Sequence, residues 1–159
     1  MKTLVAYFSA SGVTASVAKQ LASVAKADLY EIKPTVKYTP ADLNWQNPQS
    51  RSSIEMKNKS QRPEIVRDDV DVAPYDVILL GFPIWWYVAP TIVNTFLESY
   101  DFSGKKIVLF ATSGGSGFGN TVSELKPSAP NSTEIVAGKL LNRTSPAQLE
   151  AWVRELHLI

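Results

Sequence analysis

Three short segments carry residue types suited to holding a phosphorylated aromatic ring, and each follows an apolar run. The first is Ser9-Ala10-Ser11-Gly12-Val13-Thr14. Its hydroxyls can donate to phosphate oxygens, and Gly12 lets the backbone turn its N–H groups inward. A helix beginning here would add a partial positive charge. The segment holds neither Lys nor Arg, so a phosphate would be held by dipoles and neutral donors. The same hexapeptide also suits an ordinary strand-to-helix turn with a serine N-cap. Taken alone, it does not choose.

The second segment is Pro83-Ile84-Trp85-Trp86-Tyr87. Three consecutive aromatics cannot all point inward, so at least one should lie at the surface, where a planar ring is its natural partner. Packing of Trp85 and Trp86 into core and helix is the plainer alternative. The third segment runs from Thr112 to Gly119, with Ser113, Gly114, Gly115, Gly117 and Phe118 between. Its glycines remove side chains where a ligand would approach the backbone, leaving N–H groups free for carbonyl and ring-nitrogen acceptors. Phe118 offers a second aromatic wall. The plainer alternative is an exposed flexible loop. Together the three segments describe a phosphate cup, an aromatic platform and a backbone cradle.

The elements that must position them alternate along the chain. Thr3 to Phe8, Leu29 to Ile32, Asp76 to Phe82, Lys106 to Ala111 and Glu134 to Ala137 are compact apolar runs of strand length. Between them the apolar spacing becomes helical. Val17, Leu21, Val24 and Ala25 form one stripe, and Ile92, Val93, Phe96 and Leu97 another, opened by Pro90. A short helix to about Lys126 follows the third segment. Ser145, Pro146 and Gln148 start a last helix with capping-box spacing, whose stripe is Leu149, Trp152, Val153 and Leu156.

Asn-Gly hairpin signals are absent, so each connection is a crossover and the sheet is expected to be parallel. Ligands of such sheets bind outside the carboxyl ends of the strands, the end from which all three segments leave. Residues 34–72 are the least legible stretch. Thr39 and Pro40 suggest a short helix, and one or two helical turns are expected around Ser52 to Lys59. Arg51, Lys57, Lys59, Arg62 and Arg67 read as scattered, solvated surface charge.

Composition closes off other chemistries. The 159 residues suffice for one domain spanning 1–159, and 45% hydrophobic with 19% charged residues is a globular balance. A net charge of +1 gives no case for nucleic acid. With no cysteine, thiolate metal sites, disulfides and Cys nucleophiles are excluded. The lone histidine, His157, falls in the last helical turn, so no His-based triad or metal site is expected. A nucleophile elbow fails because Phe118 stands where its closing glycine is needed. No P-loop lysine follows either glycine-bearing loop. The longest apolar stretch, Val77 to Pro90, is broken by Gly81 and Pro83 and is too short to span a bilayer. No membrane partner and a cytoplasmic location are therefore expected, with no catalytic side chain and no metal.

At this point the sequence resembles the flavodoxin family, in particular its branch of short flavodoxins with a tryptophan pair in the second loop. SASGVT resembles the family's phosphate motif, GFPIWWYVAP that branch's ring-binding segment, FATSGGSGFG its third loop, and DLNWQNPQSRSSIEMKNKSQRP its polar insert. The resemblance runs nearly the whole length. It implies an α/β flavodoxin-like fold, a three-layer sandwich around a five-stranded parallel sheet of order 2-1-3-4-5, with FMN as cofactor. By carry-over, Ser9 to Thr14 would hold the phosphate, Pro83 to Tyr87 would flank the isoalloxazine with Trp85 or Trp86 stacking, and Thr112 to Gly119 would contact its pyrimidine side.

Two positions depart from the pattern. Val13 stands where the family often has a polar residue. Tyr87 stands where this branch commonly has glycine, which implies poor stabilisation of the one-electron-reduced flavin. The near-neutral charge also departs from the acidic surface of electron-shuttle flavodoxins.

Three functions follow as expectations. The leading one is an FMN-dependent electron-transfer protein served by a reductase donor and an acceptor protein. The next is an FMN-dependent NAD(P)H:quinone or nitro-compound reductase acting on a small quinone-like substrate, with residues 34–72 walling its pocket. The third is a non-redox module that binds a phosphate ligand or a partner. Tyr38 and Trp45 are expected either to fold over the ring face or to anchor the insert on the sheet.

Overall fold

The apolar runs become strands because β-branched and aromatic residues fit a pleated surface covered on both sides. In the computed structural model, which describes residues 2–67, 70–113 and 117–159, these are β1 (Thr3–Tyr7), β2 (Asp28–Glu31), β3 (Val77–Pro83), β4 (Lys106–Thr112) and β5 (Glu134–Leu140). They pair in parallel in the order β2-β1-β3-β4-β5, as expected for a flavodoxin-like sheet. Alternation then sends successive side chains to opposite faces. Leu4, Ala6 and Phe8 pack with Ile78, Leu80, Phe82, Ile107 and Leu109 on one face, while Val5, Tyr7, Leu79, Val108 and Phe110 pack on the other.

Helices α1 (Val13–Ala25) and, last in the chain, α5 (Pro146–Glu155) cover the second face. The first face is covered by α3 (Thr91–Ser99) and α4 (Thr121–Leu125), with Ile92, Val93, Phe96 and Leu125 buried against the strands. In α5 the expected capping box is formed: Ser145 Oγ accepts from the Gln148 N–H at 3.2 Å, and Gln148 Oε1 accepts from the Ser145 N–H at 2.9 Å. The stripe of α1 is rotated from expectation. Thr14, Ala18, Leu21, Ala22 and Ala25 are buried, whereas Val17 and Val24 are only half-buried. Small residues at 18 and 22 let this helix approach the sheet closely, and the bulkier valines take its flanks.

Among the described residues of the 34–72 stretch there is one helix, α2 (Arg51–Lys57), capped by Ser50. The helix expected after Thr39 is instead a single turn. Thr39 Oγ1 accepts from the Asp42 N–H at 3.2 Å and Asp42 returns a bond to the Thr39 N–H at 2.9 Å. The chain turns away at Asn44, so a capping signal is present without a helix behind it.

The basic residues of this insert are not idle surface charge. Arg51 lies 3.8 Å over the Tyr38 ring and pairs with Glu55 at 3.1 Å, Arg62 pairs with Glu98 at 3.0 Å, and Arg67 donates to the Ser99 carbonyl at 3.0 Å. Arg51 braces the insert internally, while Arg62 and Arg67 stitch it to α3.

Glu98 is the centre of one stitch, accepting from Arg62 and, at 2.7 Å, from the Ser128 hydroxyl. Partial burial pushes its carboxyl up, but the two hydrogen-bond partners outweigh this and hold it below its usual 4.5. A depressed carboxylate contributes stability that is complete above that value and is lost as pH falls through the folded-state value. Between about pH 6 and pH 3, wild type should therefore lose more stability than Glu98→Gln. The difference, read from urea midpoints, should stay below about 1 kcal/mol because the pair is solvent-exposed.

Candidate functional site

The loop from β1 to α1 holds Ser9 to Gly12, and α1 begins at Val13. Gly12 takes φ 96°, a left-handed conformation that suits glycine, and Ser9 Oγ accepts its N–H at 3.1 Å. The N-cap of α1 is Gly12 rather than a serine, and no side chain caps the helix. The first N–H groups of a thirteen-residue helix thus meet solvent at an exposed loop of Ser11, Gly12 and Val13, which is the arrangement that takes an anion. Thr14 is turned inward instead. Its hydroxyl is 2.8 Å from that of Thr112, and this buried pair joins the first loop to the end of β4.

After β3 the chain makes a tight turn. Trp85 donates to the Val88 carbonyl at 2.9 Å, and Val88 returns a bond at 3.1 Å. Trp86 and Tyr87, between them, have φ of 48° and 70°. Two positive-φ central residues make a type I′ turn, normally the province of Asn-Gly. Here the positions belong to two aromatics, so strain is held at the mouth of the sheet. Tyr87→Gly should relieve about 1 kcal/mol of it. A urea melt is expected to show a raised midpoint, and an unchanged or lowered one would mean the turn is not strained.

The three aromatics separate as sterics require. Trp85 is half-buried, edge-on to Phe8 and Tyr38 with centroids 5.9 and 5.5 Å away. Trp86 and Tyr87 are 40% and 70% exposed. The ring faces open to a ligand are therefore those of Trp86 and Tyr87, while Trp85 is held as a wedge.

The third loop is tied to the second. The Ile84 N–H donates to the Thr112 carbonyl at 2.9 Å, and a methyl group on Gly119 would stand 2.4 Å from the Tyr87 carbonyl oxygen. Gly119, at φ 53°, is there because the two backbones meet. Phe118 is half-buried against the core and its carbonyl accepts from Thr121, so it anchors α4 as well as facing the loop. Gly117 is exposed. Gly114 and Gly115 lie outside the described residues.

Some neighbours of the site were not among the expected residues. Asn142, just past β5, accepts the Ser113 N–H at 2.9 Å and so fixes where the third loop starts. The position of the last strand's carboxyl end was the signal that could have found it. Tyr38 donates to Glu55 at 2.6 Å while its ring packs on Phe8 and Trp85. Burial, with the Glu55 bond, pushes its hydroxyl well above the ordinary tyrosine value, so it stays a protonated donor. Tyr38 therefore anchors the insert, whereas Trp45 is 66% exposed.

The residues present fit a phosphorylated flavin. An uncapped helix start flanked by serine hydroxyls suits the phosphate, and exposed indole and phenol rings suit the flat heterocycle. A family model described as Flavodoxin matches residues 2–156. Two solved proteins designated flavoproteins, from Bacteroides uniformis ATCC 8492 and Bacteroides eggerthii DSM 20697, are each 46% identical with a TM-score of 0.90. The alignments cover 96% of this chain and 97% of the first protein, and 98% of both chains for the second. A flavoprotein of Lactobacillus acidophilus NCFM, solved in complex with FMN, is 25% identical over 95% of this chain and 97% of that one, with a TM-score of 0.69. A comparison with curated proteins finds no match. With its three loops gathered at one sheet edge and a family model spanning nearly its whole length, the chain belongs to the flavodoxin family.

Proposed function

We propose that this protein binds one FMN non-covalently at the carboxyl edge of its sheet and passes electrons through it. The observation that carries the reading is the uncapped N-terminus of α1, at the same end of the sheet as the loop that carries the exposed rings of Trp86 and Tyr87. The Lactobacillus acidophilus relative solved with FMN supports the choice of cofactor. FMN supplies the redox chemistry when bound. The chain's part is to hold and orient it: Ser9, Ser11 and the backbone of Ala10 to Thr14 on the phosphate, Trp86 or Tyr87 on the ring face, and Thr112 to Gly119 along the ring edge. Electrons would arrive from a reductase donor and leave to an acceptor protein.

The test is a visible absorption spectrum after adding FMN and removing the excess by gel filtration. A retained flavin band with quenched flavin fluorescence is the expected result. No retained flavin overturns the cofactor reading.

A second reading is supported by one observation, an apolar cavity between the insert and the second loop. It favours an FMN-dependent reductase for a small acceptor such as a quinone. Steady NAD(P)H oxidation with a quinone and no partner protein would separate that reading from the shuttle.

A further inference from the structure

The insert and the second loop enclose a cavity of about 470 Å³, within the range of about 300–1,000 Å³ that suits small ligands. We propose that this cavity is a binding site for a neutral, planar aromatic molecule bearing a carbonyl oxygen, the quinone class. As a functional statement it rests on the FMN reading, because the cavity borders the same second loop. As a binding statement it stands by itself.

The cavity is separate from the phosphate cup and the third loop. Among the described residues, none of Ser9 to Thr14, Thr112, Ser113 or Gly117 to Gly119 lines it, and half of its described wall comes from the insert. Its aromatic lining points to a flat ligand. Trp45, Trp86 and Tyr87 all border it, and all three are exposed large hydrophobic side chains, at 66, 40 and 70%. Aromatic surface left in water around one cavity gains by covering a ring. Leu43 and Met56 add aliphatic wall, and the Met56 thioether adapts its shape to an aromatic edge.

Charge fixes the ligand's class. Among the described residues, no Lys, Arg, Asp or Glu lines the cavity. A pyridine dinucleotide would bring phosphates with no cation to meet them, and an ionised acid would be desolvated without compensation. A neutral ligand meets neither penalty. One polar group is poised for it. Ser52 lines the cavity, is only 6% exposed, and its buried Oγ has no hydrogen-bond partner. Buried hydroxyls are ordinarily satisfied, and a small change of its side-chain rotamer would let this one donate to a carbonyl at the ligand's edge.

The experiment is equilibrium dialysis of 2-methyl-1,4-naphthoquinone against the full-length protein saturated with FMN, with flavin retention read separately by absorbance. Saturable one-to-one binding is expected. Trp45→Ala should weaken it at least about tenfold by removing a wall ring. Ser52→Ala should weaken it about fivefold, the worth of one hydrogen bond, and loses no bond within the protein. Both variants should retain FMN as wild type does, and a sulfonated naphthoquinone should bind less tightly than the neutral one. Absence of saturable binding to FMN-loaded protein, or equal affinity in Trp45→Ala, overturns the site and leaves the FMN reading standing. Displacement of the naphthoquinone by FMN overturns it too, because the cavity would then be the flavin's own. Naphthoquinone binding by a protein that retains no FMN sinks the cofactor reading and upholds this one.

Discussion

Ser11→Glu abolishes practical FMN retention, with an affinity loss of about 100-fold, while leaving the folded protein slightly more stable. The two effects have opposite signs for one reason. Ser11 is exposed in the loop that leads into the uncapped start of α1. In the empty protein a carboxylate there meets the positive end of the helix, a gain of about 0.5 kcal/mol. On the proposed placement of the phosphate, the same carboxylate faces it once FMN is bound. Two unit charges about 4 Å apart repel by roughly 4 kcal/mol at an effective dielectric of about 20. Allowing the glutamate to swing partly into water leaves about 2.8 kcal/mol, a factor of about 100. Ser11→Ala, which removes only a donor, should cost about 1 kcal/mol, or roughly fivefold. Flavin-fluorescence titration measures the first effect and a thermal melt the second. Wild-type affinity in Ser11→Glu would place the phosphate elsewhere.

Gly138→Val removes a large share of the stability of the fold, about 3–5 kcal/mol of the roughly 5–15 kcal/mol typical of a domain. The pairing of β4 with β5 shifts register here. Leu109 faces Ala137 and Phe110 faces Lys139, so Gly138 is the extra residue of a bulge. A Cβ at this position would stand 2.1 Å from the Leu109 carbonyl oxygen and 2.8 Å from the Trp152 ring. The first neighbour is backbone in the middle of the sheet and cannot swing aside. Relief would require β5 to move outward, carrying α5 with it. Beyond the bulge, Leu141 donates to the Ala111 carbonyl at 2.8 Å and Asn142 accepts from Ser113. The substitution should therefore also loosen the third loop. Urea unfolding reads the main effect, and Gly138→Ala should fall between the two. A Val variant melting within 1 kcal/mol of wild type, on the scale of an ordinary surface substitution, would show that the bulge can be relaxed.

The strands and their parallel pairing were legible because each is a short apolar run with no hairpin signal between, whereas the order 2-1-3-4-5 came from the family resemblance. The α5 cap was legible because Ser145 and Gln148 act locally. The end of β5 was missed. Expected to stop at Ala137, it runs to Leu140, since Gly138 reads as a strand breaker unless the bulge that uses it is known.

The three loops were legible as chemistry, but not which aromatic would face out, because that depends on the handedness of the turn at Trp86 and Tyr87. The insert was least legible. Its order comes from Tyr38, held by Arg51 and Glu55, meeting Phe8 and Trp85 across the chain, and no local pattern encodes a contact of that kind.

The first loop's lack of cationic side chains has an effect on the whole molecule. A phosphate monoester brings about 1.5 to 2 negative charges at neutral pH, and the cup has nothing of opposite sign to cancel them. The empty chain carries a formal +1, so filling the proposed cup takes it to between about −0.5 and −1. Loading would thus reverse the direction in which the protein drifts in an electric field. A basic surface would attract the filled form and repel the empty one, so occupancy can be sensed at a distance before any two surfaces touch.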